Sequence, residues 1–384
     1  MIIIINIILK INCKFMVNYG NNLEKSLILW YNLIKKKSSL AKRIVMYMKK
    51  VYIITGANGH LGNTIIRMLK EKEELVIGFI LPQEKGSIIG ENISYVQGDI
   101  RNKGDICRLF EQVENYEVIV IHCAGIISIA DDISDDIYDV NVKGTKNLLE
   151  ISMEKQVSRF LYVSSVHAIP EGDKLHVLRE TNQFSDKMVH GAYAKTKAIA
   201  TKMVLQYVKK GLNAIIVHPS GILGPYNDTG NHLVQLISDY ANGKLPFCVN
   251  GGYDFVDVRD VADGCLKAIE KGRIGECYIL SNRHYEVKEV LEIVQNIQQG
   301  RKAIILPTWL ARLGLPFIKI DAKLRNKRPL YTKYSLYTLA SDDKFSHYKA
   351  TTELDYHPRD LYITIKDTLD WLNSKKRKKV FTKD

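Results

Sequence analysis

The stretch Val51-Tyr-Ile-Ile-Thr-Gly-Ala-Asn-Gly-His-Leu-Gly62 constrains the fold of this chain more than any other. Its apolar, β-branched start reads as a strand buried on both faces, the kind found in parallel sheets. Gly56, Gly59 and Gly62 follow at G-x-x-G-x-x-G spacing, and Asn63 to Lys70 then run at helical period. A strand, a glycine turn and a helix in that order form a pyrophosphate cradle. The first glycine permits the tight turn, the second lets backbone approach the phosphates, and the third lets helix and strand pack closely. Free N–H groups at the helix start attract the negative charge. Gly56, Asn58, Gly59, His60, Leu61 and Gly62 are therefore candidate cofactor-binding residues.

The pattern continues. Strands are predicted at Leu75–Ile80, Ile93–Gln97, Val118–Ile121, Phe160–Ser165 and Leu212–His218, separated by helical segments, one of them over 134–155. This alternation predicts an α/β fold, a doubly wound parallel sheet with helices on both faces. Gly/Pro-rich clusters at 221–230, 242–252 and 272–275 break the pattern and mark a smaller C-terminal lobe. The expected division is a dinucleotide-binding domain over 48–220, completed by later segments, a mainly substrate-binding lobe over 221–374, and a basic tail over 375–384. Residues 1–47 read as an N-terminal extension outside the fold. Their isoleucine-rich start is too short to span a bilayer and lacks the charged beginning of a secretory signal. Met48-Lys-Lys is a natural beginning three residues before the first strand.

The net charge of +13 is concentrated at the ends, with +9 on residues 1–50 and +5 on 375–384, which leaves −1 on 51–374. A nearly neutral body excludes a broad nucleic-acid surface. The basic ends are either solvated tails or contacts for an anionic membrane surface. Six scattered cysteines without ligand-like spacing fit a reducing cytoplasm and no metal site.

Chemistry enters at several strand ends. Asp99, with Ile100 beside it, either accepts a hydrogen bond from the adenine amino group or caps the helix that begins near Lys103. Ala124 and Gly125 leave room for a cofactor across the sheet. The strand over 75–80 ends without an acid or an arginine; Glu84 and Lys85 follow late, so NAD and NADP both remain open. Tyr193 and Lys197 are four apart and share a helix face. A protonated lysine would pull the tyrosine from its ordinary pKa of ~10 toward neutrality, fitting it to exchange a substrate's hydroxyl proton. Ser165 would bind the same oxygen, and Ser164 would face the cofactor. His167 either points into the substrate site or is a loop histidine.

Thr55-Gly-Ala-Asn-Gly-His-Leu-Gly62, Gly98-Asp-Ile100, His122-Cys-Ala-Gly125, Asn141-Val-Lys-Gly-Thr145, Tyr162-Val-Ser-Ser165, Tyr193-Ala-Lys-Thr-Lys197 and His218-Pro-Ser-Gly-Ile222 occur here in one order. That order resembles the extended short-chain dehydrogenases/reductases over about 49–374. The resemblance is to the NAD-dependent epimerase/dehydratase family, and within it to the 3β-hydroxysteroid dehydrogenase and dihydroflavonol reductase-like branch. It implies a Rossmann domain with a smaller C-terminal substrate lobe, NAD or NADP, and Ser165, Tyr193 and Lys197 as catalytic residues. Tyr193 and Lys197 would also touch the cofactor, and Pro219 and Ile222 would pack at its nicotinamide end. A homodimer is a further implication. Val166 and His167 stand where sugar dehydratases of this group carry Asp-Glu, which disfavours dehydration.

The substrate is expected to be a small molecule. The apolar stretch Pro307 to Ile320 reads as a lid, a membrane-interface segment or core. Arg259, Arg273 and Arg283 are the candidates for holding a nucleotide diphosphate, few enough to favour a small or apolar alcohol or ketone over a nucleotide sugar. The expected activity is NAD(P)-dependent interconversion of a secondary alcohol and a ketone. The alternatives are a nucleotide-sugar epimerase with tightly held NAD and a non-catalytic dinucleotide sensor.

Overall fold

A computed structural model describes residues 49–381 except 129–131, 173–176, 228–229, 246, 300–303, 308–332 and 342–343. The 1–47 extension and nearly all of the Pro307–Ile320 stretch therefore lie outside the described residues.

The β-branched run predicted as the first strand is β1 (Lys50–Thr55), buried along all but its first residue. The glycine turn leads into α1 (His60–Glu71), then β2 (Leu75–Ile80), β3 (Ile93–Gln97), α2 (Lys103–Glu111) and β4 (Glu117–His122). α3 (Asp135–Tyr138) passes through a π-helical turn over Asp139–Gly144 into α4 (Thr145–Glu154). β5 (Arg159–Val163), α5 (Ala192–Lys209) and β6 (Ala214–Pro219) follow.

The remainder comprises β7 (Gly221–Leu223), α6 (His232–Ala241), β8 (Phe247–Val249), β9 (Gly252–Asp257), α7 (Val258–Lys271), β10 (Cys277–Leu280) and β11 (Arg283–Glu286). After these come α8 (Val287–Gln298), β12 (Ile304–Leu306), α9 (Lys333–Ser341), α10 (Tyr348–Leu354) and α11 (Leu361–Phe381).

Seven strands form a parallel sheet in the order β10-β6-β5-β4-β1-β2-β3. This is the Rossmann-like α/β architecture. Alternate residues of each strand feed opposite layers, as the two-residue repeat demands. Ile53, Val120 and Phe160 pack under α2, α4 and α5, while Ile54, Ile121 and Leu161 pack under α1 and α7. The chain runs outward from β1 to β3 and then returns to lay β4 on the other side of β1. Thr55 and His122, at the carboxyl ends of β1 and β4, are register partners. The crevice of a doubly wound sheet opens at such a reversal.

Smaller sheets, β11-β9-β7 and β12-β8, adjoin α6, α8 and α11 around a third core that includes Leu223, Ile237, Phe255, Val290 and Ile365. Buried Asp257 caps α7 and pairs with Arg259 at 2.7 Å, and Arg259 reaches Asp367 on α11 at 2.6 Å. Arg359 pairs with Asp260 at 2.7 Å. These pairs fasten α11 to the start of α7. Among the described residues, no helix is long and apolar enough to cross a membrane, and no cluster of His, Cys, Asp or Glu could hold a metal ion.

Candidate active site

The glycine turn lies at the reversal point. Gly56 has φ +66°, and a Cβ there would stand 2.8 Å from the Ala124 nitrogen. A Cβ on Gly62 would strike the Gly56 carbonyl oxygen. Gly59 caps α1 without a side-chain hydrogen bond, so first-turn N–H groups have no side-chain cap. Uncapped donors beside backbone that admits no Cβ fit a dinucleotide pyrophosphate.

The neighbours in this turn do other work with their side chains. Asn58 donates to the Lys85 carbonyl (3.1 Å) and Glu84 Oε2 (3.2 Å) and accepts from the Ser87 nitrogen (3.2 Å), fastening the turn to the loop after β2. His60 points away from the turn, bonding the Pro225 carbonyl (2.8 Å) and Asn231 Nδ2 (3.2 Å). The carbonyl accepts from Nε2–H, and Nδ1 accepts from the amide. Burial holds this ring neutral, its pKa lowered to about 4. Leu61 is buried in the layer beneath α1. Any cofactor contact from His60 or Leu61 therefore runs through backbone.

After β3, the cap of α2 is Asn102, which accepts from the Gly104 nitrogen at 2.9 Å. Asp99 does not cap it; its carboxylate takes the Arg101 guanidinium at 2.6 Å, which holds its pKa below the ordinary value. The Ile100 side chain belongs to the core.

At the end of β4 a buried relay appears that spacing alone did not reveal. Thr145 Oγ1 donates to the Asn141 carbonyl (2.7 Å), so it accepts from His122 Nε2 (2.9 Å). His122 Nδ1 then accepts from Thr55 Oγ1 (2.7 Å), which itself accepts from the Ala124 nitrogen (3.2 Å). Burial keeps His122 neutral, its pKa lowered to about 3. Asn141 clasps both polar groups of Ile126 (2.7 and 2.9 Å) and donates to Thr196 on α5 (3.1 Å). The loop through Gly125 is thus fixed against α5, and a Cβ on Gly125 would stand 3.6 Å from Lys197 Nζ.

Ser165, two residues beyond the end of β5, and Tyr193 and Lys197, in the first turns of α5, converge here. The Ser165 hydroxyl lies near the Tyr193 phenol and favours its ionised form. Lys197 Nζ donates to the Val163 carbonyl at 2.7 Å and stands 6.0 Å from the Tyr193 ring centre. The expected pull of Tyr193 toward neutrality is reversed. Burial pushes the phenol up to about 12, outweighing the opposing influence of Ser165, and lowers the Lys197 ammonium to about 8.

Ser164 also departs from expectation. It bonds Thr201 at 2.7 Å, and Thr201 donates to the Lys197 carbonyl, so this serine faces the interior of α5. His218 supports Ser165, with Nδ1 2.8 Å from the Ser165 carbonyl and the ring stacked on Phe184. Pro219 ends β6 beside Leu280, and the Ile222 carbonyl accepts from Asn231 at 2.9 Å.

A cavity beyond Ser165 is lined by Val166, His167, Ile169, Leu178, Tyr334 and Phe345, with Glu171, His190 and Tyr337 at one side. His167 lines it and is no free loop residue. Its Nε2 lies 2.7 Å from the Tyr253 hydroxyl and its Nδ1 3.3 Å from that of Tyr334, with Tyr193 edge-on at 6.2 Å between ring centres. Burial lowers its pKa to about 4. Glu171 accepts from Tyr337 (2.5 Å) and bonds His190 Nδ1 (2.8 Å). A parallel bridge joins Leu178 to Phe345, with the Leu178 nitrogen donating to the Lys344 carbonyl at 2.8 Å. No Lys or Arg is among the described residues that line the cavity. Arg259 is committed to Asp257 and Asp367, Arg273 to Glu353 at 2.6 Å, and Arg283 to Glu289 at 2.7 Å.

Tyr253, Tyr334, Glu171, His190 and Phe345 escaped sequence reading because no spacing rule links them. The Asn141-Val-Lys-Gly-Thr145 motif was visible, but not its task of holding Ile126.

A model of the NAD dependent epimerase/dehydratase family matches residues 52–285. The chain is 28% identical over 331 residues to sterol demethylase protein B of Methylococcus capsulatus, covering 84% of this chain and 98% of that protein. It is 27% identical over 355 residues to a decarboxylating sterol-4-alpha-carboxylate 3-dehydrogenase of Schizosaccharomyces pombe, covering 86% and 100%. The crystal structure of gox2253 superposes with a TM-score of 0.70 at 29% identity, covering 84% of this chain and 98% of that one.

Proposed function

The chain belongs to the NAD-dependent epimerase/dehydratase family, and from that premise we propose that it interconverts an apolar, ring-bearing secondary alcohol and its ketone. Enzymes of this extended short-chain type use NAD or NADP. The observation that carries the reading is the placement of Tyr193 and Ser165 beside a cavity walled by Val166, Ile169, Leu178, Tyr334 and Phe345, polar only on its Glu171, His167 and His190 side, with no Lys or Arg among its described lining. A nucleotide sugar brings two phosphates that need cations or backbone donors, and the three candidate arginines are tied to carboxylates. Two sterol-metabolising relatives point the same way, toward a sterol-like substrate.

The backbone N–H groups of the glycine turn would hold the pyrophosphate, with Gly125 and Pro219 bordering the nicotinamide end. When bound, the nicotinamide gives or takes the hydride. Ser165 orients the substrate oxygen, and Tyr193 gives that oxygen a proton in reduction or takes it in oxidation. Lys197, held by the Val163 carbonyl, keeps a positive charge one helical turn from the phenol. The Tyr193–Lys197 pair loses its first proton at the lysine's lowered value of about 8. His218 fixes Ser165 through the serine's carbonyl.

The test is turnover of a 3β-hydroxysteroid with NAD and NADP, with UDP-glucose as the contrasting substrate. Tyr193→Phe is expected to cut turnover by about 10²–10⁴, the usual weight of a general acid–base, while cofactor binding stays within about threefold. Full activity in that variant overturns the assignment. Epimerisation of UDP-glucose by protein that retains NAD through purification overturns the substrate reading.

A further inference from the structure

We propose that Glu84 makes the dinucleotide site select NAD over NADP, although it lies outside β2, where an acidic selector is ordinarily found. A carboxylate at the end of the second strand can accept hydrogen bonds from the ribose hydroxyls, whereas a cation there accommodates the 2′-phosphate. In this chain β2 ends in Ile80, and Leu81-Pro-Gln-Glu84 turns back at once. The Glu84 nitrogen donates to the Leu81 carbonyl at 2.9 Å, with Pro82 second in the turn. The turn returns the Glu84 side chain to the strand end, where Oε2 accepts from the Leu81 nitrogen at 3.2 Å. The same oxygen accepts from Asn58 Nδ2, inside the glycine turn, also at 3.2 Å. One carboxylate thus bridges the end of β2 and the phosphate cradle, the corner where a bound adenosine ribose must lie.

Two more observations carry the assignment. The corner is braced: Asn58 also binds the Lys85 carbonyl and the Ser87 nitrogen, Asn63 binds Ser87 at 2.6 Å, and Gln97 donates to the Glu84 carbonyl at 2.7 Å. The carboxylate therefore sits on a fixed frame. The arginines on the flanking elements are engaged elsewhere. Arg67 donates to Asn63 at 2.8 Å and lies over the Tyr226 ring, and Arg101 is paired with Asp99. Of the cations beside the turn, exposed Lys85 is the competing reader, and it would favour NADP. Glu84 acts twice, offering Oε1 to a ribose hydroxyl and repelling a dianionic 2′-phosphate, so it discriminates by an unfavourable contact as well as a favourable one.

The experiment is titration of the full chain with NAD and with NADP by protein fluorescence, which needs no knowledge of the alcohol substrate. The unaltered protein is expected to bind NAD at least tenfold more tightly. Glu84→Gln keeps the shape and removes the charge, and it should shrink that ratio at least fivefold, mainly by tightening NADP. Glu84→Ala should weaken NAD as well. Lys85→Ala should leave the ratio within twofold, and salt should narrow it in the unaltered protein as charge repulsion is screened. Equal or tighter binding of NADP, or an unchanged ratio in Glu84→Gln, overturns the proposal. So does a loss of NADP binding confined to Lys85→Ala. These outcomes are independent of whether Tyr193 carries turnover.

Discussion

In the turn from Gly56 to Gly62 shape is set by backbone, because a Cβ on either end glycine would collide with main-chain atoms. Around His167 shape is set by side chains drawn from far apart, with Tyr253 from β9, Tyr334 and Tyr337 from α9, and Phe345 beyond it. The first region offers donors that every dinucleotide can use. The second offers walls that only some molecules fit. A shared cofactor thus needs an invariant main-chain path, whereas a particular substrate needs a surface assembled by the complete fold.

Acid is the bluntest way to break this contrast, because buried neutral histidines serve both regions. Folding lowers His60 to about 4 and His122 to about 3 near the glycine turn, and His167 and His218 to about 4 near the cavity, all from an ordinary 6.5. Between those values and 6.5 the unfolded chain binds more protons than the folded one, so stability rises with pH across that window and falls as the solution is acidified. Each such ring contributes a slope of up to about 1.4 kcal/mol per pH unit. Thermal melts from pH 7 to 4 should show Tm falling steeply in a single transition. Two separate transitions would mean that the regions unfold independently.

A smaller change should touch one region alone. Gly62→Ala forces a methyl group against the Gly56 carbonyl, so cofactor affinity should fall at least about 100-fold, roughly 2.7 kcal/mol. An NAD titration checks this, and affinity within threefold of the unaltered protein would refute the cradle. The smallest effect is expected at His167→Phe. It preserves the ring and removes the bonds to Tyr253 and Tyr334, so kcat/KM for the alcohol should fall roughly tenfold, as loss of about one hydrogen bond implies. Cofactor affinity should stay within twofold; a shift in that affinity matching the loss in kcat/KM would erase the distinction.

How much could be read in advance follows the same division. β2 and β3 fall on their predicted bounds, and Tyr193 and Lys197 share the predicted helix face, because alternation and the i, i+4 rule are local. The direction of the Tyr193 shift was misread, since spacing shows the lysine and not the burial that overrides it. Ser164 was misassigned because Thr201, its partner, lies 37 residues away. The cap of α2 went to Asn102 because cap geometry depends on which side chain reaches the Gly104 nitrogen. The commitments of Arg259, Arg273 and Arg283 depend on acids up to 108 residues distant, which no local pattern encodes.

The bridge between Leu178 and Phe345 has a consequence for how the molecule comes into being. A ribosome delivers the glycine turn, Ser165, Tyr193 and Lys197 long before Phe345. During that interval the nascent chain holds Ser165, Tyr193 and Lys197 beside an unfinished wall. The wall around His167 is therefore completed well after the residues it faces, and it closes only when a late segment returns to an early one.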